Sequence, residues 1–101
     1  MNQFGERIKQ IREQKKLLQR EIAHQLSMDT PMLSKIERGE RKAKKEQVSI
    51  FAKILSIKEK ELLSLWLADQ VYEVVKDEET ALKAIQVAEE EIKYQTKRKE
   101  K

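Results

Sequence analysis

The sequence predicts an all-α protein, a compact bundle of four to five helices followed by further C-terminal helices. Apolar residues recur at intervals of three and four rather than in strict alternation, which is the helical period. Leu, Ile, Glu, Lys and Gln are abundant, and all favour helix over sheet. Breakers are scarce, with only Gly5, Gly39 and Pro31 in 101 residues. That length suits one compact domain with an appendage but not two full domains.

Phe4, Ile8 and Ile11 share one face while Glu6, Arg7, Lys9, Gln10, Arg12 and Glu13 fill the others, so a first amphipathic helix is expected to end near Lys16. Leu18, Ile22 and Leu26 mark a second, short helix. Ser27, Met28 and Asp29 then interrupt the pattern before Leu33 and Ile36 resume it, which implies two short helices joined by a tight turn. Asp29 suits an N-cap, with Thr30 and Pro31 in the first turn, where proline's missing N–H costs little. Gly39 is the expected C-terminal stop. A fourth helix is predicted from about Lys45 to Leu55, burying Val48, Phe51, Ala52 and Leu55. These four segments are expected to share a core that is complete by residue 57.

Beyond residue 58 the character changes. Leu62, Leu63, Leu65, Trp66, Leu67, Val71, Tyr72, Val74 and Val75 surround almost the whole circumference of a helix, and such a helix needs partners on several sides. Asp77 reads as the cap of a last helix, with Glu78 and Glu79 near its positive end and a stripe of Ala81, Ile85, Ala88 and Ile92. Thr96 to Lys101 reads as a frayed, disordered tail.

Composition narrows the function classes. No cysteine is present, so disulfides, thiolate metal ligands and a thiol nucleophile are excluded, in keeping with a reducing cytoplasm. Charged residues interrupt every apolar run in Met1–Lys16, unlike an export signal. No stretch is suited to a membrane. The net charge of +4 is modest, but Lys35, Arg38, Arg41, Lys42, Lys44 and Lys45 face only Glu37 and Glu40 within their segment, which points to a local anion-binding surface or to a solvated face. His24, the single histidine, has no partners at ligand spacing, and Glu89, Glu90 and Glu91 point in different directions on a helix. No enzyme, metal, cofactor or small-molecule ligand is therefore expected.

The run Leu17-Leu18-Gln19-Arg20-Glu21-Ile22-Ala23, then Met28-Asp29, then Leu33-Ser34-Lys35-Ile36-Glu37-Arg38-Gly39 resembles the helix-turn-helix of the phage-repressor-like (XRE/Cro) family of transcriptional regulators. The likeness covers roughly residues 4–57. Ser27 stands where many members have glycine, and Ala43 replaces a frequent proline. The resemblance implies a recognition helix from Thr30 to about Arg38 in the major groove of double-stranded DNA, with Thr30, Pro31, Met32 and Lys35 at the base-reading positions. Lys35 suits guanine O6 and N7, Thr30 a hydrogen bond or a thymine methyl, and Pro31 and Met32 apolar contact only. Pro31 and Met32 equally suit a helix start packed on its own domain. Gln19 matches a phosphate clamp, and Ser34, Arg38, Arg41, Lys42 and Lys44 are further phosphate candidates. Arg12 and Glu37 align with a structural ion pair tying the first helix to the third.

The implied organisation is a helix-turn-helix domain at 1–57, a helical dimerisation or interaction region at 58–95, and a tail at 96–101. The principal expectation is a sequence-specific repressor that binds a near-palindromic operator as a homodimer, with Leu62, Leu63, Trp66, Leu67, Val71, Val74 and Val75 on the seam. The last helix, another subunit, or both must cover that surface. The rival expectation is an interaction protein, an antitoxin or accessory subunit or a restriction-modification controller, that engages a protein partner through its C-terminal helices and binds DNA for autoregulation.

Overall fold

The computed structural model describes residues 1–99, and every regular element among them is helical: α1 (Gln3–Gln14), α2 (Gln19–Gln25), α3 (Thr30–Arg38), α4 (Lys45–Leu55), α5 (Glu59–Val75) and α6 (Ala81–Lys99). The chain divides into two compact units, the first running from Met1 to Gln70 and the second beginning at Val71.

In the first unit α1 to α4 contribute Phe4, Ile8, Ile11, Ile22, Leu33, Ile36, Val48, Phe51 and Leu55 to one core, and Phe4 meets Phe51 edge to face at 5.6 Å. The core does not close at residue 57. Leu62 is 0 % exposed, and Leu63, Leu65 and Trp66 pack against the same cluster. Leu62, Leu63 and Trp66 were expected on a dimer seam, but α5 as far as Gln70 belongs to the first unit. The physical reason is size, since so small a chain buries too little surface unless a further element covers its core.

Four turns close through left-handed residues, and only one of them uses glycine. Lys16, Ser27 and Ser56 have φ between 54° and 57°, beside Gly39 at 79°. After each of the three non-glycine residues the next N–H reaches back to the helix, as Leu17 to Arg12 O, Met28 to Ala23 O and Ile57 to Ala52 O, each at 3.0 Å. Leu17, Met28 and Ile57 are apolar and pack on the core, the hydrophobic contact that accompanies this type of helix end. A left-handed non-glycine residue costs roughly 1–2 kcal/mol, which the docked apolar neighbour offsets.

Glycine is required where backbones meet. A Cβ on Gly5 would stand 2.5 Å from the Ile36 carbonyl and would also collide with Asn2 Oδ1, so α1 crosses α3 without a side chain at that point. Asn2 caps α1 by accepting from Gly5 N (3.1 Å) and donates to the Glu37 carbonyl (2.8 Å). Asp69 of α5 accepts from two backbone donors at the start of α1, Gln3 N at 2.9 Å and Phe4 N at 3.0 Å. A carboxylate there satisfies orphan N–H groups and faces the positive helix end.

The second unit holds the end of α5 and α6. Helix α6 begins at Ala81, with Ala84 N bonded to Thr80 O, so Asp77 is not its cap. Asp77 lies instead in the turn that ends α5, where Lys76 N bonds to Tyr72 O. Because α5 runs to Val75, residues 76–80 are consumed in the connection. Helix α6 also continues through Thr96 to Lys99, with Arg98 over the Tyr94 ring at 5.9 Å, which corrects the frayed tail expected there. Glu100 and Lys101 lie outside the described residues. Among the described residues no helix is long and apolar enough to cross a membrane.

Candidate nucleic-acid interface

Helix α3 begins where its sequence requires. Asp29 Oδ1 accepts from Met32 N at 2.8 Å, and Pro31 occupies the first turn. It ends at Gly39, whose positive φ lets Glu40 N reach back to Lys35 O at 2.8 Å. A Cβ on Gly39 would also approach Asn2 Cγ to 2.7 Å. The helix buries Leu33, Ile36 and Glu37, which turns the opposite edge, with Pro31, Lys35 and Arg38, to the outside. Thr30 and Met32 are half-buried on the flanks of that edge, and Met32 packs on the core.

Two shallow depressions flank α3. One is lined by Lys9, Leu18, Gln19, Ser34 and Arg38 over the Arg12–Glu37 pair. The other brings Met28, Met32 and Ile36 of the turn and α3 together with Arg41, Lys42, Lys44 and Gln47. The exposed edge of α3 therefore runs between two rims of hydrogen-bond donors and cations.

Beneath the first rim lies a satisfied polar network. Glu37, 4 % exposed, accepts from Arg12 Nε (2.7 Å) and Nη2 (3.1 Å), and from Gln19 Nε2 (2.9 Å). Arg12 Nη1 donates to Leu17 O at 3.1 Å. The hydrogen bonds that Arg12 donates to Glu37 hold the guanidinium above its ordinary pKa, burial opposing them. This pair ties α1 to α3 and, through Gln19, fixes the start of α2.

The network also fixes which donors are engaged and which are free. A carboxylate only accepts, so the Gln19 amide nitrogen must face Glu37 and its oxygen must face Ser34, whose hydroxyl donates to it at 3.0 Å. Ser34 thereby engages its hydroxyl proton with Gln19 and orients that amide. Gln19 keeps a second N–H, held in a defined direction. On the same rim Arg38 is engaged with Glu40, its Nη2 at 2.6 Å and Nε at 2.9 Å. That contact lowers the Glu40 pKa and sets a carboxylate in competition with any phosphate. Lys42 and Trp66 face one another, and Trp66 Nε1 donates to Ala43 O at 2.8 Å. His24 is exposed. Sequence reasoning missed Asp69 and the Trp66–Ala43 bond, because partners 66 and 23 positions apart leave no periodic signal.

A family model described as helix-turn-helix matches residues 8–62, more than half of the chain. No curated protein and no solved structure matches it. The match begins within α1 and ends in the first turns of α5, at the Leu62 that closes the core. With α2, the Ser27 turn and the capped α3 at the positions described, the chain belongs to the XRE-type helix-turn-helix family of DNA-binding transcriptional regulators.

Proposed function

We propose that this regulator is a repressor that binds a near-palindromic operator as a two-fold homodimer. The observation that carries the reading is the exposed α3 edge between two donor-rich rims. A helix seated in the major groove has base edges in front of it and a phosphate strand on either side. In this reading Lys35, and with it Thr30, Pro31 and the half-buried Met32, read bases. Gln19, Arg38, Arg41, Lys42 and Lys44 hold phosphates. Residues 1–70 bind DNA, and the remainder pairs the protein.

The pairing surface takes a revised form. With Leu62, Leu63 and Trp66 occupied in the first unit, the apolar residues left for a second copy are Leu67, Val71 and Val74, exposed by 47, 48 and 78 %, together with half-buried Val75. Within the second unit, α6 also exposes Leu82, Ile85 and Ile92. Two-fold pairing would place recognition helices about one DNA turn, roughly 34 Å, apart.

The test is fluorescence anisotropy against duplex from upstream of the gene and against a random duplex, each at two salt concentrations, with equilibrium sedimentation alongside. The expected result is at least about a thousandfold preference for the upstream duplex, both affinities falling steeply with salt, and a dimer at micromolar concentration. Lys35→Ala should lose roughly 1–3 kcal/mol on one base pair only. Equal binding of both duplexes by a monomer would overturn the proposal.

A further inference from the structure

The connection from Glu40 to Lys44 has no regular secondary structure, yet it is fastened at its centre. Ala43 is 2 % exposed, and its carbonyl accepts from Trp66 Nε1 at 2.8 Å. Lys42 Nζ stands 5.8 Å from the centre of the indole ring and 3.4 Å from Gln70 Oε1. The Gln70 amide is oriented in turn by donating to Trp66 O at 3.2 Å. One turn of α5 therefore grips both the backbone and the side chain of the second rim.

The chemistry of this grip differs from that at Arg38. Glu40 neutralises Arg38 and must be displaced before a phosphate can bind. The indole face and the Gln70 oxygen are uncharged, so they orient Lys42 while leaving its full positive charge available. A free lysine on an irregular connection loses rotamer and backbone freedom when it binds, and ordering it beforehand removes part of that cost.

We propose that Trp66 and Gln70 are positioning residues for DNA binding, which pre-place Lys42 and the Ala43 backbone for a phosphate through the indole N–H, the ring face and the Gln70 amide oxygen. This rests on the reading of Lys42 as a phosphate contact. It assigns the start of α5 a part in DNA affinity, in addition to its part in the core.

A double-mutant cycle tests it. Wild type, Lys42→Ala, Trp66→Phe and the double variant are titrated with a mixed-sequence duplex at several salt concentrations, and thermal melts confirm that each is folded. Trp66→Phe keeps an aromatic ring for the core but loses the indole donor. Each single variant is expected to bind roughly three- to tenfold more weakly, with the salt slope reduced by up to about one ion. The double variant is expected to match Lys42→Ala within about twofold, since there is nothing left to position. Losses that multiply, or a folded Trp66→Phe that binds as wild type, would overturn the inference while the parent reading stands. Wild-type binding by Lys42→Ala would remove the parent reading itself. If Trp66→Phe does not fold, Gln70→Leu takes its place in the cycle, and wild-type binding by that variant would count equally against the inference.

Discussion

Replacing Arg12 with methionine is the most informative perturbation of the scaffold. The Glu37 side chain is 3 % exposed, and three of its hydrogen bonds come from Arg12 and Gln19. Arg12→Met removes two of them together with the paired counter-charge, leaving a buried carboxylate with one amide donor. Removing one member of a buried pair costs about 3–5 kcal/mol, a large share of the 5–15 kcal/mol typical of a whole domain. Glu37→Met should cost less, because Arg12 is 13 % exposed and retains Leu17 O, so water solvates part of its charge. The double Met variant should recover much of the loss, although Gln19 forfeits an acceptor. The assay is urea and thermal unfolding followed by circular dichroism. At about 4–8 °C per kcal/mol for a domain of this size, Arg12→Met should melt at least 12 °C below wild type. Because the folded pKa of Arg12 is raised, its contribution is present below the unfolded value and lost only as pH rises through a still higher one. Its side of the pair is thus constant across the neutral range. An Arg12→Met melting point within about 4 °C of wild type, or a double variant no better than Arg12→Met, would refute this account.

Leu62→Ala should cost about 2–5 kcal/mol in unfolding experiments as a core truncation; a loss under about 0.5 kcal/mol would mean that α5 is not part of the first unit. Ser27→Gly should raise stability by up to about 1 kcal/mol, because glycine tolerates the left-handed turn without a Cβ penalty, and a decrease in melting temperature would show that the Ser27 side chain has a role of its own. Glu40→Gln should tighten binding to every duplex by roughly two- to fivefold, since it releases Arg38 from a competing carboxylate; weaker binding would show that the Arg38–Glu40 contact orders the arginine instead of withholding it.

The local elements were legible in the chain because their causes are local. The 3.6-residue stripes of α1 to α4, Asp29 as a cap and Gly39 as a stop act over one or two turns, and the boundaries of α3 and α4 follow from them. The left-handed closures at Lys16, Ser27 and Ser56 left a fainter mark, an apolar residue directly after a polar helix end, which identifies the motif once glycine is no longer demanded. The family resemblance indicated the outward edge of α3 and the Arg12–Glu37 pair, since both follow fixed offsets in its motif.

What the tertiary structure decided concerns groups that compete for the same partner or surface. An apolar wrap such as that of α5 states that burial is needed, not against what. Packing gives Leu62 and Trp66 to the domain core and leaves Leu67, Val71 and Val74 outside. Likewise a serine beside a glutamine does not reveal which of them donates to the other. That follows only when the Glu37 carboxylate fixes the Gln19 amide and Ser34 gives up its proton to it. Periodicity acts along a single helix, whereas the allocation of donors, acceptors and buried faces depends on which helices meet.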